Sequence, residues 1–366
     1  MARITLDGIA HAYRPNPRSD ADYALKPLHL TWERGLAYAL LGPSGCGKTT
    51  LLNILSGLLR PSHGRLLFDG VDVTDWPTER RNIAQVFQFP VIYDTMTVRE
   101  NLAFPLRNRG VAPAAAARRV TEIAELLGLS PMLDRRARGL TPDAKQKISL
   151  GRGLVRSDVA ALLLDEPLTV IDPNLKWELR SRLKAAHRAL DRLMVYVTHD
   201  QTEALTFADR VVVMQDGRML QIGTPAELFE RPEHVFVGHF IGSPGMNFLP
   251  AAVTGDRAVV AGFEIPLGAA YGPLPAGVPV QLGIRPDFTA LGAGPGGLPV
   301  TLERVDDLGR LRLARVRLGP HPLVARLPDG VDPATAALYL DSRRLHVYAD
   351  GKRVPPPGEL RQEAAA

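Results

Sequence analysis

Gly42-Pro43-Ser44-Gly45-Cys46-Gly47-Lys48-Thr49 reads G-x-x-x-x-G-K-T, and its flanks decide what it is. Leu36 to Leu41, just ahead, is an apolar run of buried-strand length. Behind it, Leu51, Leu52, Ile54, Leu55 and Leu58 recur at helical spacing. Strand, glycine-rich loop and helix in that order form a phosphate cradle. Glycines 42, 45 and 47 let the backbone wrap closely and turn N–H groups inward. The helix N-terminus adds partial positive charge. Lys48 is placed to reach β- and γ-phosphates, and the Thr49 hydroxyl suits a magnesium ion. Pro43, Ser44, Cys46 and Thr50 complete the predicted nucleotide contact. The alternative, a glycine-rich turn that binds nothing, fits this context poorly.

At 366 residues the chain exceeds one typical core and predicts two domains. The net charge of +5 is mild and no Lys/Arg run gathers it into a stripe, which argues against a nucleic-acid partner. Cys46 is the lone cysteine, which excludes an internal disulfide and fits a reducing compartment. Ala2 to Asp7 lacks the basic-then-apolar pattern of a secretory signal. No apolar run approaches the ~20 residues of a membrane span, so any membrane role runs through partners.

Along the chain, Ile4 and Leu6, then Leu28, Leu30 and Trp32, alternate as strands. Tyr13 follows the first: an aromatic ahead of the phosphate loop that either stacks on an adenine ring or is a half-buried strand tyrosine. Asp69-Gly70 predicts a hairpin turn. Ile83 to Phe87 is a short strand ending at Gln88. Residues 90–157 read as a helical insertion, with Pro113 at a first helical position. Val159 to Leu164 is a buried strand ending in Asp165-Glu166. One carboxylate there can hold magnesium through water and the next can polarise an attacking water, although acid pairs also start helices. Asp172-Pro173 opens a helix whose Leu175, Leu179, Leu183, Ala186 and Leu190 form one face. Met194 to Thr198 is a further strand, ending at His199, which can reach a γ-phosphate or serve structure. Thr224-Pro225-Ala226-Glu227 is a capping box. Beyond Gly242 to Gly245 short strands alternate with Gly/Pro turns, the pattern of a small β-barrel or sandwich.

Taken together, Tyr13, the phosphate loop, Gln88, Asp165-Glu166, Asp172 and His199 resemble the ATPase of an ABC transporter over residues 1 to about 240. Gly242-Ser243-Pro244, Met246-Asn247-Phe248-Leu249 and Gly283-Ile284-Arg285-Pro286 narrow the resemblance to the carbohydrate-importer class, close to the maltose and glycerol-phosphate ATPases. The resemblance implies an α/β P-loop ATPase domain at 1–241 with a helical subdomain at about 90–157. An all-β OB-like (TOBE-type) regulatory domain follows at 242–353, then a flexible tail at 354–366. It implies ATP and Mg2+, with Tyr13 on the adenine, Gln88 at the γ-phosphate and metal, Asp165 on the metal, Glu166 as catalytic base, His199 on the γ-phosphate and Asp172 facing a partner ATPase. It also implies two transmembrane permease subunits, a periplasmic solute-binding protein reached indirectly, and a peripheral place on the cytoplasmic face of a bacterial inner membrane.

One motif departs from that family. Where the signature reads L-S-G-G-Q, this chain has Leu140-Thr141-Pro142-Asp143-Ala144. Both glycines are replaced, Pro142 has no N–H to donate, and Asp143 brings negative charge towards a γ-phosphate. The same residues are good helix-start grammar, with Thr141 as N-cap and Pro142 at N1. Gly151 and Gly153 inside the helix predict close packing. This run, with Asp165 to Trp177, resembles the paired ATPases of bacterial glycerol importers. A self-pair would have a damaged signature at both sites, so pairing with a second, different ATPase is expected.

Overall fold

The computed structural model describes residues 3–190 and 192–356 and divides into two compact units, Met1–Pro225 and Ala226–Ala366. Residues 357–366 of the expected tail, and the Leu190 side chain, lie outside the described part.

In the first unit β1 (Ile4–His11) and β2 (Leu25–Trp32) pair antiparallel, Ile4 opposite Trp32 and Leu6 opposite Leu30. β4 (His63–Phe68) pairs with the other side of β1, and β5 (Val71–Asp72) lies at the edge. Asp69 and Gly70 join the last two with φ of 51° and 82°, the left-handed pair that a tight hairpin of native twist requires.

The second sheet carries the site. β3 (Ala37–Leu41), β7 (Ala161–Asp165) and β8 (Leu193–Thr198) are buried along their whole length. Covered on both faces, such strands read as unbroken apolar runs rather than alternations. With β6 (Ile83–Val86), β9 (Arg210–Gln215) and β10 (Arg218–Gly223) the order is β10-β9-β3-β8-β7-β6. All neighbours run parallel except the β9–β10 hairpin. An open parallel sheet binds ligands beyond the carboxyl ends of its strands. There β3 leads into the phosphate loop, β6 towards Gln88, β7 into Glu166 and β8 into His199.

The helices follow the sequence pattern. α1 (Lys48–Ser56) starts at Gly47, and α2 (Thr78–Arg81) is one turn. α3 (Val98–Arg107), α4 (Pro113–Leu126) and α5 (Pro142–Leu154) make the insertion, α3 opened by a Thr97/Glu100 capping box. A Cβ on Gly151 would sit 2.5 Å from Leu102 Cδ2, and one on Gly153 2.8 Å from Val86 Cγ2, so both glycines are where side chains crowd α5. α6 (Pro173–Leu190) and α7 (Gln201–Phe207) complete the unit. Leu179, Leu183 and Ala186 are buried as their spacing predicts, but Leu175 is exposed. It lies in the first turn, ahead of the stretch that packs.

In the second unit, α8 (Pro225–Glu230, mostly within it) and α9 (Val235–Phe240) precede the strands. The expected boundary at 241/242 therefore lies inside this unit. A five-stranded sheet runs in the order Thr301–Asp307, Arg312–Leu318, His321–Leu327, Thr289–Gly292, Ala337–Leu340. A four-stranded sheet and a two-stranded ribbon complete it around a core that includes Leu282, Ile284, Val316 and Val347. Val354, assigned to the tail by sequence, ends the strand Lys352–Val354.

Arg285 is 1% exposed and holds this unit's helices to its strands. Its guanidinium donates to Phe229 O at 2.7 Å, Gly238 O at 3.2 Å, Leu228 O at 3.3 Å and Ile241 O, and stacks on the Phe229 ring at 4.2 Å. Burial lowers its pKa to about 10, so the charge is retained at neutral pH. Removing the donor takes this hydrogen bond from Phe229 O, Leu228 O and Ile241 O, at about 1–3 kcal/mol each before relaxation, while Gly238 O keeps Met246 N at 3.0 Å. Arg285→Met is expected to destabilise this unit by about 2–4 kcal/mol. The check is hydrogen exchange by mass spectrometry, with lost protection across Val235–Phe240 and Val280–Ile284 and unchanged protection in β3.

Candidate functional site

The phosphate loop is held by backbone crowding. A Cβ on Gly42 would lie 2.3 Å from Met214 O, and one on Gly47 2.6 Å from Ala24 O, so neither position accepts a side chain. Gly45 and Gly47 have φ of 80° and 99°. Buried Lys48 folds back along the loop and donates to Gly42 O and Pro43 O, both at 2.8 Å. Cys46 is buried, and burial pushes its thiol pKa up against the opposing Lys48 ammonium.

Tyr13 lies past the end of β1 and is 64% exposed, which removes the half-buried strand reading. Its hydroxyl shares a 3.0 Å hydrogen bond with Thr50 Oγ1, and its ring stands edge-on to His11 at 4.7 Å. The hydroxyl is thereby fixed to the first turn of α1 while the ring face stays open.

At the end of β7 the two acids separate in character. Asp165 is buried, and Thr49 Oγ1 donates to its Oδ1 at 3.4 Å. Burial raises the Asp165 pKa, opposed by the Thr49 hydrogen bond and assisted by the Glu166 charge. A desolvated carboxylate beside a hydroxyl is a donor set that suits a hard divalent cation. Glu166 has φ of 45°, a left-handed conformation unusual for a non-glycine residue. Its N–H donates to Val197 O at 3.0 Å. Its carboxylate collects three neighbours: Gln88 Nε2 donates to Oε2 at 3.2 Å, Thr169 Oγ1 donates to the same oxygen at 3.2 Å, and His199 Nδ1 lies 3.2 Å from Oε1. Glu166, His199 and Gln88 thus meet at one carboxylate. Gln88, expected at the metal, here turns its amide to Glu166 while Thr49 and Asp165 face each other.

Asp172 Oδ1 accepts from Asn174 N at 2.8 Å and opens α6. At the signature position Thr141 caps α5 by accepting from Ala144 N at 3.3 Å, with Pro142 at N1 and Leu140 N bound to Ala137 O. Lys147 Nζ lies 2.8 Å from Asp143 Oδ2, one helical turn on, so the charge of Asp143 is paired within α5. Its Oδ1 is buried without a hydrogen-bond partner among the described residues.

Two contributors escape sequence reasoning. Thr169 could be found from its place three residues beyond Glu166, the spacing at which a hydroxyl reaches back across a turn. Gln146 is fully buried and donates to Pro167 O at 3.1 Å and Phe87 O at 3.4 Å, which joins α5 to the segments after Glu166 and before Gln88. Nothing in its polar sequence context marks it. Beyond Gln88 the chain exposes Phe89, Val91 and Tyr93, beside a cavity of about 260 Å³ lined by Phe87, Val91, Ser149, Arg152 and Arg156.

Residues 25–169 match the ABC transporter family model, and residues 242–288 match the MalK OB fold domain. The chain belongs to the ATP-binding subunits of ABC transporters, in the carbohydrate-importer class that carries an OB domain. It is 41% identical to the sn-glycerol-3-phosphate import ATP-binding protein UgpC of Escherichia coli (strain K12) over 90% of this chain and 93% of that protein. The protein of the same name from Salmonella typhimurium (strain LT2) is likewise 41% identical over 90% and 93%. Among solved structures, cbiO1 from Clostridium perfringens, described as part of the ABC transporter complex cbiONQ, is 28% identical with a TM-score of 0.55, covering 62% of this chain and 90% of that one. The chain binds ATP with Mg2+ and hydrolyses it. Among the described residues no helix is long and apolar enough to cross a membrane.

Asp165→Asn removes a buried charge while keeping the shape. It is expected to raise the Tm of the nucleotide-free protein by about 2–4 °C and to abolish Mg2+-dependent ATP hydrolysis. The raised pKa means that wild-type Asp165 takes up its proton early as pH falls, so the Tm difference should shrink on acidification. Calorimetry across pH, with a phosphate-release assay, checks both.

Proposed function

We propose that this chain is the motor subunit of a bacterial importer for a glycerol-class solute, sn-glycerol-3-phosphate or a related polyol. The likeness to the UgpC proteins supports the solute, and nothing in the chain itself touches it. Glycerol and sugars are the alternatives. The motor role rests above all on one observation, the meeting of Gln88, Thr169 and His199 at Glu166.

In this reading Lys48 exchanges its loop carbonyls for the β- and γ-phosphates, and loop N–H groups complete the cradle. Tyr13 offers its open ring face to the adenine. Thr49 and Asp165, joined by Gln88, would hold magnesium, which would supply positive charge against the transferring phosphate. Glu166 accepts the proton of the attacking water, and His199 donates to the γ-phosphate as it leaves. Gln88 links that event to Phe89–Tyr93, whose exposed apolar groups press on the permease subunits at the cytoplasmic face of the inner membrane. A periplasmic solute-binding protein delivers solute to those subunits from the far side. Glu166→Gln should lower hydrolysis by about 10²–10⁴-fold with ATP binding retained. Turnover left unchanged would make this chain an ATP-binding regulatory partner instead. Stimulation of reconstituted transporter by sn-glycerol-3-phosphate, glycerol and maltose, each with its binding protein, ranks the solutes.

The pairing with a second, different ATPase is read from Thr141 to Ala144 and from the resemblance of the run with Asp165 to Trp177; the relatives lend it no support. Pro142 supplies no N–H, and Asp143 is engaged by Lys147 rather than open to phosphate. The whole loop of this chain would then work against the partner's signature. Native mass spectrometry of the solubilised complex should show one copy of this chain beside a second ATPase. Two identical copies would sink the pairing. Restoring glycine at both positions, Pro142→Gly with Asp143→Gly, should raise the ATPase activity of the purified chain alone.

A further inference from the structure

Glu203 stands in the first turn of α7 and is 4% exposed. An acid that only complements the helix dipole has no need to be enclosed. A buried carboxylate is costly unless its partners compensate, and this one draws partners from two other elements. Its Oε2 accepts from the Tyr196 hydroxyl at 3.0 Å and the Thr198 hydroxyl at 2.8 Å, both on β8. Its Oε1 lies 3.5 Å from Lys176 Nζ on α6. Burial, reinforced by the Glu203 charge, keeps the Tyr196 phenol well above its ordinary pKa and therefore a donor.

The partners lead to the site in two directions. Thr198 Oγ1 also accepts from Asp200 N at 3.0 Å, and Asp200 Oδ1 accepts from Glu203 N at 3.2 Å. His199 lies between Thr198 and Asp200, so both of its flanks are tied to Glu203. Lys176 donates its own backbone N–H to Asp172 O at 3.0 Å. One carboxylate therefore joins the Asp172 loop to the backbone that aims His199.

We propose that Glu203 is a positioning residue for hydrolysis, which through Lys176 makes the placement of His199 depend on the Asp172 loop. This rests on the reading of His199 as the γ-phosphate contact and of Asp172 as the loop facing the partner ATPase. Approach of that partner moves Asp172, α6 carries the shift to Glu203, and Thr198 and Asp200 turn His199. ATP affinity, set by the phosphate loop and Tyr13, stays outside this chain of contacts.

The test uses the intact transporter in proteoliposomes. Glu203→Gln keeps an acceptor for both hydroxyls but loses the ion pair; Lys176→Met loses it from the other side; Lys176→Arg retains it. Each of the first two is expected to lower kcat about three- to tenfold at unchanged KM for ATP, and Lys176→Arg to stay near wild type. The double variant Glu203→Gln/Lys176→Met should be no worse than the weaker single variant, because both break one link. Unchanged kcat in the singles, losses that multiply in the double, or a KM that rises in step would overturn the proposal. If Glu203→Gln does not fold, Lys176→Met and Lys176→Arg decide alone. His199→Ala separates the two readings. Full turnover there would strike the role given to His199, whereas an inactive His199→Ala beside normal Glu203 and Lys176 variants would strike only the coupling.

Discussion

The hydrogen bond from Glu166 N–H to Val197 O joins β7 to β8 at the point where β7 stops being a strand. It is made with Glu166 already in left-handed backbone, a conformation costing on the order of 1 kcal/mol for a residue with a side chain. The result is a carboxylate turned away from the sheet interior and towards neighbouring strand ends. Parallel neighbours about 4.8 Å away on either side bring Gln88 and His199 to that one group, and the turn after β7 brings Thr169 back to it. The arrangement needs strands in this order and this direction. It does not depend on any single loop being long or specially sequenced.

Two carboxylates in succession thus acquire opposite environments. Asp165 ends the strand, is desolvated, and keeps one hydroxyl for company. Glu166 begins the loop and is surrounded by donors. Electrostatically the pair resembles a stressed charge beside a satisfied one, and the stress at Asp165 is what a cation relieves. Stability is given up there in exchange for metal affinity, while at Glu166 the backbone strain is the part given up for aim.

Much of this was legible in the sequence, and the reasons differ by residue. The buried parallel strands announce themselves as apolar runs, and Gln88, Asp165-Glu166 and His199 follow the ends of β6, β7 and β8, so order along the chain shows which of them share one sheet edge. Tyr13 was ambiguous because exposure cannot be read from a single aromatic; the structure resolves it by ending β1 at His11. The ion pair of Asp143 escapes the sequence reading because its partner lies one turn further on, and an i, i+4 pair is visible only once the helix is known to start at Pro142. Leu175 fits the periodicity of its helix but precedes the packed stretch. The ribbon at Ala252–Val260 and Phe263–Tyr271 escaped notice because half of its residues face water and its alternation is broken by Gly and Asp. Gln146 and Glu203 gave no signal, since a buried polar residue looks like any surface one until its partners are placed.

Arg285 also constrains the order in which the chain can be built. Its carbonyl partners lie 44 to 57 residues upstream. At ribosomal rates of about 5–20 residues per second, Arg285 is made some 2–12 s after them. In that interval α8 and α9, six residues each, are too short to persist alone. The last strand of the first unit ends at Gly223, so the ATP-binding unit is complete in the nascent chain before the residue that locks the second one exists. Synthesis from the N-terminus therefore separates the two folding events in time.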